Sequence, residues 1–70
     1  MKVLSWNVNS LKIRYDQLGQ IITEYGPDVI SLQETKTQDD NFPEKLLKDQ
    51  GYDSIFIGQK TFNGVAILTR

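Results

Sequence analysis

The chain has 70 residues, of which 8 are Lys or Arg and 9 are Asp or Glu, and it contains neither Cys nor His. This length allows one small domain. The missing residue types exclude a disulfide, a thiolate metal site and a histidine general base within these residues. The net charge of −1 by itself predicts neither a nucleic-acid partner nor binding to a membrane surface, and the short apolar runs predict no membrane-spanning helix. A chain without Cys fits a cytoplasmic location.

The first part of the chain predicts a strand–helix–strand unit. Residues 2–8 predict a strand. Apolar side chains dominate both of its faces, which is typical of a strand that is covered on both sides. Ser10 is the expected N-cap of a helix whose apolar stripe recurs at helical spacing at Leu11, Tyr15, Leu18, Ile22 and Tyr25. Gly26 should end this helix in the left-handed conformation. Residues 28–33 follow as a second strand, which we expect to be parallel to the first.

The second part of the chain predicts a short helix and a hairpin. Residues 35–41 are polar and indicate a loop, and Pro43 suits the start of a helix that extends to residue 48. Residues 52–57 and 64–69 predict two antiparallel strands, with a positive φ favoured at Asn63 and Gly64. The resulting order is β-α-β-(short α)-β-β. Because no element follows to cover the sheet, we expect residues 1–70 to be the incomplete N-terminal portion of a larger domain.

Two polar side chains, Asn7 and Glu34, stand at the ends of the first two predicted strands. They are 27 positions apart, close to the length of a strand–helix–strand unit of roughly 30 residues. Both should therefore emerge at the same edge of the sheet. A carboxylate and an amide oxygen suit Mg²⁺ or Mn²⁺, and Mg²⁺ commonly takes only one or two protein carboxylates.

Each candidate residue also has a simpler structural interpretation. Glu34 could be a solvated strand-end carboxylate, and Asn7 a turn or capping residue. Lys36 and Lys60 could be surface charges, although exposed loop positions are where phosphate contacts occur. Asn9 could simply form the turn before the helix.

Taken together, four blocks of sequence make the chain resemble a known family. In chain order they are residues 5–11 (SWNVNSL), 27–30 (PDVI), 32–36 (LQETK) and 58–68, which begin GQK and end GVAIL. The chain resembles the N-terminal part of the exodeoxyribonuclease III family of class II apurinic/apyrimidinic endonucleases, within the endonuclease/exonuclease/phosphatase superfamily. The resemblance implies a four-layer, DNase I-like α/β sandwich, of which this chain would supply the first part.

The resemblance also implies a function. It predicts Mg²⁺-dependent hydrolysis of phosphodiesters in double-stranded DNA, at abasic sites and 3′ ends, by a protein that is monomeric at full length. Glu34 would be the metal-ligating glutamate, and Asn7 would help to bind the metal and order the site. Lys36, Lys60 and Asn9 would lie close to the DNA phosphates or the metal. The family's catalytic His, Asp and Tyr have no counterpart here, so the 70-residue chain alone is expected to be inactive.

Other functions remain open at this point. Phosphoinositide phosphatases, sphingomyelinases and deadenylases of the same superfamily act on other phosphoesters, although the block at residues 58–60 favours DNA. The catabolite repression control protein resembles this family but is a regulatory binding protein without nuclease activity. A separate small interaction module is the remaining alternative.

Overall fold

The computed structural model describes residues 1–37, 41–58 and 64–70. Its elements, in chain order, are β1 (Val3–Asn7), α1 (Leu11–Tyr25), β2 (Val29–Gln33), α2 (Glu44–Asp49), β3 (Asp53–Gly58) and β4 (Gly64–Thr69). The predicted order of elements is confirmed, with boundaries that differ by at most one residue. Among the described residues, no helix is both long and apolar enough to cross a bilayer.

The described strands form one mixed sheet in the order β1-β2-β4-β3. Strand β1 pairs in parallel with β2, and the register places Asn7 opposite Gln33. Strand β4 is antiparallel to both of its neighbours, β2 and β3. The predicted parallel pair and the predicted antiparallel hairpin are therefore both confirmed. The hairpin joins the sheet through β4, so β1 and β3 are the two edge strands of the described sheet.

Both helices pack on one face of this sheet, where the core lies. The completely buried apolar side chains are Leu11 and Leu18 of α1, Ile30 and Leu32 of β2, Leu47 of α2 and Leu68 of β4. Trp6 and Phe56 pack against this cluster. Phe56 also stacks on Phe42, with ring centroids 4.1 Å apart.

The opposite face of the sheet is exposed in the described structure. Ile55 and Ile57 of β3 are 77% and 65% exposed, and Val3 of β1 is 65% exposed. Val65 and Ile67 of β4 are also exposed. The expected cover on both sides of β1 is therefore not provided by the described residues, because both helices lie on the same side of the sheet.

The two ends of α1 match the sequence predictions unequally. Gly26 has φ 55°, and its N–H donates to the carbonyl of Ile22 (2.9 Å), so the predicted left-handed cap is confirmed. The predicted capping role of Ser10 is wrong, because its side chain makes no capping hydrogen bond. The N–H of Leu11 instead donates to a loop carbonyl, that of Thr35. Tyr25 is exposed, so the buried stripe of α1 is shorter than predicted.

Candidate active site

The chain segments that follow β1 and β2 lie side by side beyond the end of the sheet. Backbone hydrogen bonds continue the strand pairing into this region, each with an N–H after β1 as donor and a carbonyl at or just after the end of β2 as acceptor. They join Val8 to Gln33 (3.0 Å), Ser10 to Glu34 (2.9 Å) and Leu11 to Thr35 (2.9 Å). The loop before α1 and the loop after β2 are therefore fixed to each other, and so are the side chains that they carry.

Asn7 and Glu34 meet at this edge, as the strand spacing predicts. The Nδ2 of Asn7 donates a hydrogen bond to Oε2 of Glu34. The Oδ1 of Asn7 accepts a hydrogen bond from the backbone N–H of Asn9 at 3.2 Å. Asn7 thus connects the Glu34 carboxylate to the turn before α1, and it limits the rotation of that carboxylate.

Lys36 lies next to the same pair. Its Nζ donates to Oδ1 of Asn9 at 2.6 Å. Asn9 consequently contacts Asn7 through its backbone and Lys36 through its side chain, and a continuous hydrogen-bonded chain runs from the lysine to Glu34. The predicted site residue Lys60 lies outside the described residues.

Strained backbone is concentrated at this site. Within residues 1–37, 41–58 and 64–70, four residues other than glycine have positive φ: Asn9 (47°), Ser10 (87°), Glu34 (54°) and Lys36 (53°). Left-handed conformations of such residues cost on the order of 1–3 kcal/mol each, and they persist only where the surroundings enforce them. Sequence reasoning missed this feature, although Asn tolerates the left-handed region better than most residues.

The donor set of the site fits a hard divalent cation. Glu34 supplies a carboxylate whose Oε1 receives no hydrogen bond from the described residues, while Asn7 holds Oε2. Among the described residues, no three or more His, Cys, Asp or Glu side chains lie together in a way that could hold a metal ion. A single carboxylate with further oxygen from water and phosphate is a normal environment for Mg²⁺. Asn7 turns its amide nitrogen towards Glu34, so it can orient the carboxylate; its predicted contact with the metal stays a prediction.

A groove opens next to Lys36, between the start of α1, the loop after β2 and the start of α2. Its volume is about 720 Å³, and its lining combines Lys12 and Lys36 with the apolar side chains of Leu11, Pro43 and Leu46. Two lysines in one groove give it a local positive charge that the net charge of the chain does not show. Sequence reasoning missed Lys12, because an exposed lysine in the first turn of a helix carries no signal by itself.

Comparison with known proteins agrees with this geometry. The profile of the Endonuclease/Exonuclease/phosphatase family matches residues 4–70. The chain belongs to this family. It is 47% identical over 70 residues to exodeoxyribonuclease III of Haemophilus influenzae, an alignment that covers all of this chain and 26% of that protein.

Solved structures of family members match the fold closely. The 3′-5′ exonuclease of Neisseria meningitidis superimposes with a TM-score of 0.96 at 44% identity, over all of this chain and 27% of that one. An AP endonuclease from Archaeoglobus fulgidus gives a TM-score of 0.93 at 38% identity, over 99% of this chain and 27% of that one. The predicted DNase I-like α/β fold is confirmed. The chain spans about a quarter of the length of these relatives.

Proposed function

We propose that this chain is the N-terminal part of a Mg²⁺-dependent DNA-repair nuclease that hydrolyses DNA phosphodiesters. The observation that carries the proposal is the contact between Asn7 and Glu34 at the joined strand ends. That contact places a restrained carboxylate at the edge of a sheet, which is where α/β proteins commonly bind ligands. Relatives named as exodeoxyribonuclease III and as AP endonucleases support the reaction class.

Each residue of the site has a distinct part in this proposal. Glu34 would hold Mg²⁺, and Asn7 would keep the Glu34 carboxylate oriented for that role. When bound, the metal supplies Lewis-acid stabilisation of the negative charge that develops on the phosphate. Lys36, held by Asn9 at 2.6 Å, places an ammonium group at the same edge of the sheet, where it can contact a phosphate oxygen.

The proposed substrate is double-stranded DNA with abasic sites or 3′ ends. The groove that contains Lys12 and Lys36 offers positive charge to a phosphate backbone. Lys60 is proposed as a further phosphate contact, by sequence resemblance alone. A monomeric full-length protein and a cytoplasmic location, which fits the cysteine-free composition, complete the proposal.

The test is a comparison of the full-length protein with its Glu34→Gln variant. The substitution keeps the size of the side chain and removes the charge that holds a hard cation. Lewis-acid stabilisation contributes roughly several kcal/mol, so turnover on a duplex with one abasic site should fall by orders of magnitude. DNA binding should change much less, because the lysine contacts remain. Turnover and DNA affinity are measured against Mg²⁺ concentration.

Glu24→Gln is the matched control, because Glu24 is an exposed glutamate on α1. It should leave both turnover and the Mg²⁺ midpoint unchanged. Equal behaviour of Glu34→Gln and Glu24→Gln would mean that Glu34 is only a solvated strand-end carboxylate. A wild-type protein that binds DNA or another partner without cleaving any phosphodiester would support the regulatory alternative.

A further inference from the structure

Thr35, the residue between Glu34 and Lys36, is packed directly against the first residue of β4. Its side chain is buried, although Thr35 follows a strand and precedes a polar loop. Its Oγ1 has no hydrogen-bond partner among residues 1–37, 41–58 and 64–70. Its N–H donates to the carbonyl of Gly64 at 3.0 Å. Thr35 is therefore held by side-chain packing and by its backbone hydrogen bond, and its hydroxyl forms no hydrogen bond with the described residues.

Gly64 leaves the space that the Thr35 side chain occupies. A Cβ atom placed on Gly64 would overlap Thr35 Oγ1. The two atoms would lie well within 3.0 Å of each other, and real Cβ atoms essentially never make contacts that short. The same Cβ would lie 3.5 Å from Thr35 Cβ and 3.3 Å from the backbone nitrogen of Lys36. Gly64 also has φ 111°, a conformation that glycine adopts without steric cost. A side chain at position 64 would therefore have to push the 35–36 segment away from β4.

Movement of Thr35 would be transmitted to the candidate active site. The carbonyl of Thr35 accepts hydrogen bonds from the N–H of Leu11 (2.9 Å) and from the hydroxyl of Thr37 (3.0 Å). Its flanking residues Glu34 and Lys36 both have positive φ, a conformation that depends on enforcement by the surroundings. We therefore expect a displacement at Thr35 to change the direction of the Glu34 carboxylate.

We propose that Gly64 is a positioning residue for Glu34, which acts through the buried side chain of Thr35. The absence of a side chain at position 64 lets β4 close against Thr35, and this contact fixes the carboxylate in its metal-holding direction. The inference rests on the proposed function of Glu34 as a metal ligand. It adds a residue of β4 to a site that otherwise consists of residues at or just after the ends of β1 and β2.

The test measures binding of Mn²⁺ to the full-length protein by electron paramagnetic resonance, without DNA. Gly64→Ala should weaken Mn²⁺ binding about tenfold or more, the range observed when a metal ligand loses its supporting contacts. Gly51→Ala is the matched control, because Gly51 also has positive φ (95°) but has nothing within 4 Å of the built Cβ. It imposes a similar conformational cost and should leave Mn²⁺ affinity unchanged.

The double variant Thr35→Ala with Gly64→Ala keeps the test valid if Gly64→Ala does not fold. Removal of Oγ1 eliminates the closest overlap and leaves the 3.3 Å approach to the Lys36 nitrogen, so the double variant should fold more readily than Gly64→Ala and recover most of the Mn²⁺ affinity of Thr35→Ala alone. Much weaker binding by the double variant than by Thr35→Ala would overturn the proposal. Equal Mn²⁺ affinities of folded Gly64→Ala and Gly51→Ala would overturn it as well.

Failure of the proposed function would give a different result. In that case Glu34→Gln would bind Mn²⁺ as tightly as the wild type, whatever the behaviour of the glycine variants. Loss of binding in Glu34→Gln together with normal binding in Gly64→Ala would retain the metal site and reject only the role of Gly64.

Discussion

Asn7 is the residue on which the geometry of the candidate site depends most directly. It donates to the Glu34 carboxylate and accepts from the N–H of Asn9. Supporting contacts of this kind orient a ligand and are commonly worth about 10–100-fold in metal affinity. The side chain of Asn7 therefore contributes to the free energy of metal binding, even if it never contacts the ion.

We expect Asn7→Ala in the full-length protein to weaken Mg²⁺ binding by about 10–100-fold. The expected loss is smaller than that of Glu34→Gln, because the carboxylate remains and only its orientation is lost. Isothermal titration with Mg²⁺ is the measurement. Ser5→Ala is the control, since Ser5 lies on the same strand and the same face, two residues earlier. A Mg²⁺ affinity for Asn7→Ala equal to that of Ser5→Ala would contradict the orienting role.

The sequence predicts some of these residue contacts and not others. The meeting of Asn7 with Glu34 follows from strand spacing, because parallel strands end at the same edge. The contact of Lys36 with Asn9 depends on four left-handed residues in two loops, which no periodic pattern reveals. The packing of Thr35 on Gly64 requires β4 to lie beside β2, and that depends on the strand order.

At the scale of elements, the helices and strands were predictable, whereas their arrangement was only partly so. Apolar periodicity located α1, β2 and β4, since each carries residues of the buried core. The hairpin could in principle join the sheet through β3 or through β4. The structure places β4 beside β2. Tertiary packing determines which strand of the hairpin lies beside β2, and no local sequence pattern indicates it.

The contact between α1 and the end of α2 provides a prediction about pH. Burial raises the pKa of Tyr15 above its ordinary value of 10.0, the Gln50 hydrogen bond lowers it, and the charges of Asp49 and Asp16 raise it. The Gln50 Nε2 donates to the Tyr15 hydroxyl at 3.1 Å. As the pH rises, the unfolded chain releases the Tyr15 hydroxyl proton before the folded chain does. The stabilising contribution of Tyr15 is therefore present below about pH 10 and is lost as the pH rises through its folded pKa.

The measurement is the phenolate absorbance of the full-length protein minus that of Tyr15→Phe, as a function of pH. The difference should develop at a higher pH than the ordinary tyrosine value. In Gln50→Ala the transition should move higher still, because a hydrogen bond that favours the phenolate is removed. In Asp49→Asn it should move lower. A Tyr15 transition at or below the ordinary value would show that the contact between the helices does not exclude water.

At the scale of the whole molecule, the distribution of apolar surface is the main feature. Helices α1 and α2 cover one face of the sheet, and the other face presents Val3, Ile55, Ile57, Val65 and Ile67. Monomeric proteins rarely expose a contiguous patch of this kind. Two of these residues, Ile55 and Ile57, also lie on the edge strand β3, where unpaired backbone groups can pair with another chain.

We therefore expect the isolated 70-residue chain to self-associate through this face. Double substitution Ile55→Lys and Ile57→Lys should shift it towards monomer, because lysines on an edge strand oppose both apolar contact and strand addition. Ile13→Lys is the control, since Ile13 is equally apolar and exposed but lies on α1; it should leave the association unchanged. Size-exclusion chromatography with light scattering gives the mass of each species. A monomeric wild-type chain, or equal effects of the β3 and α1 substitutions, would show that the exposed sheet face does not drive association.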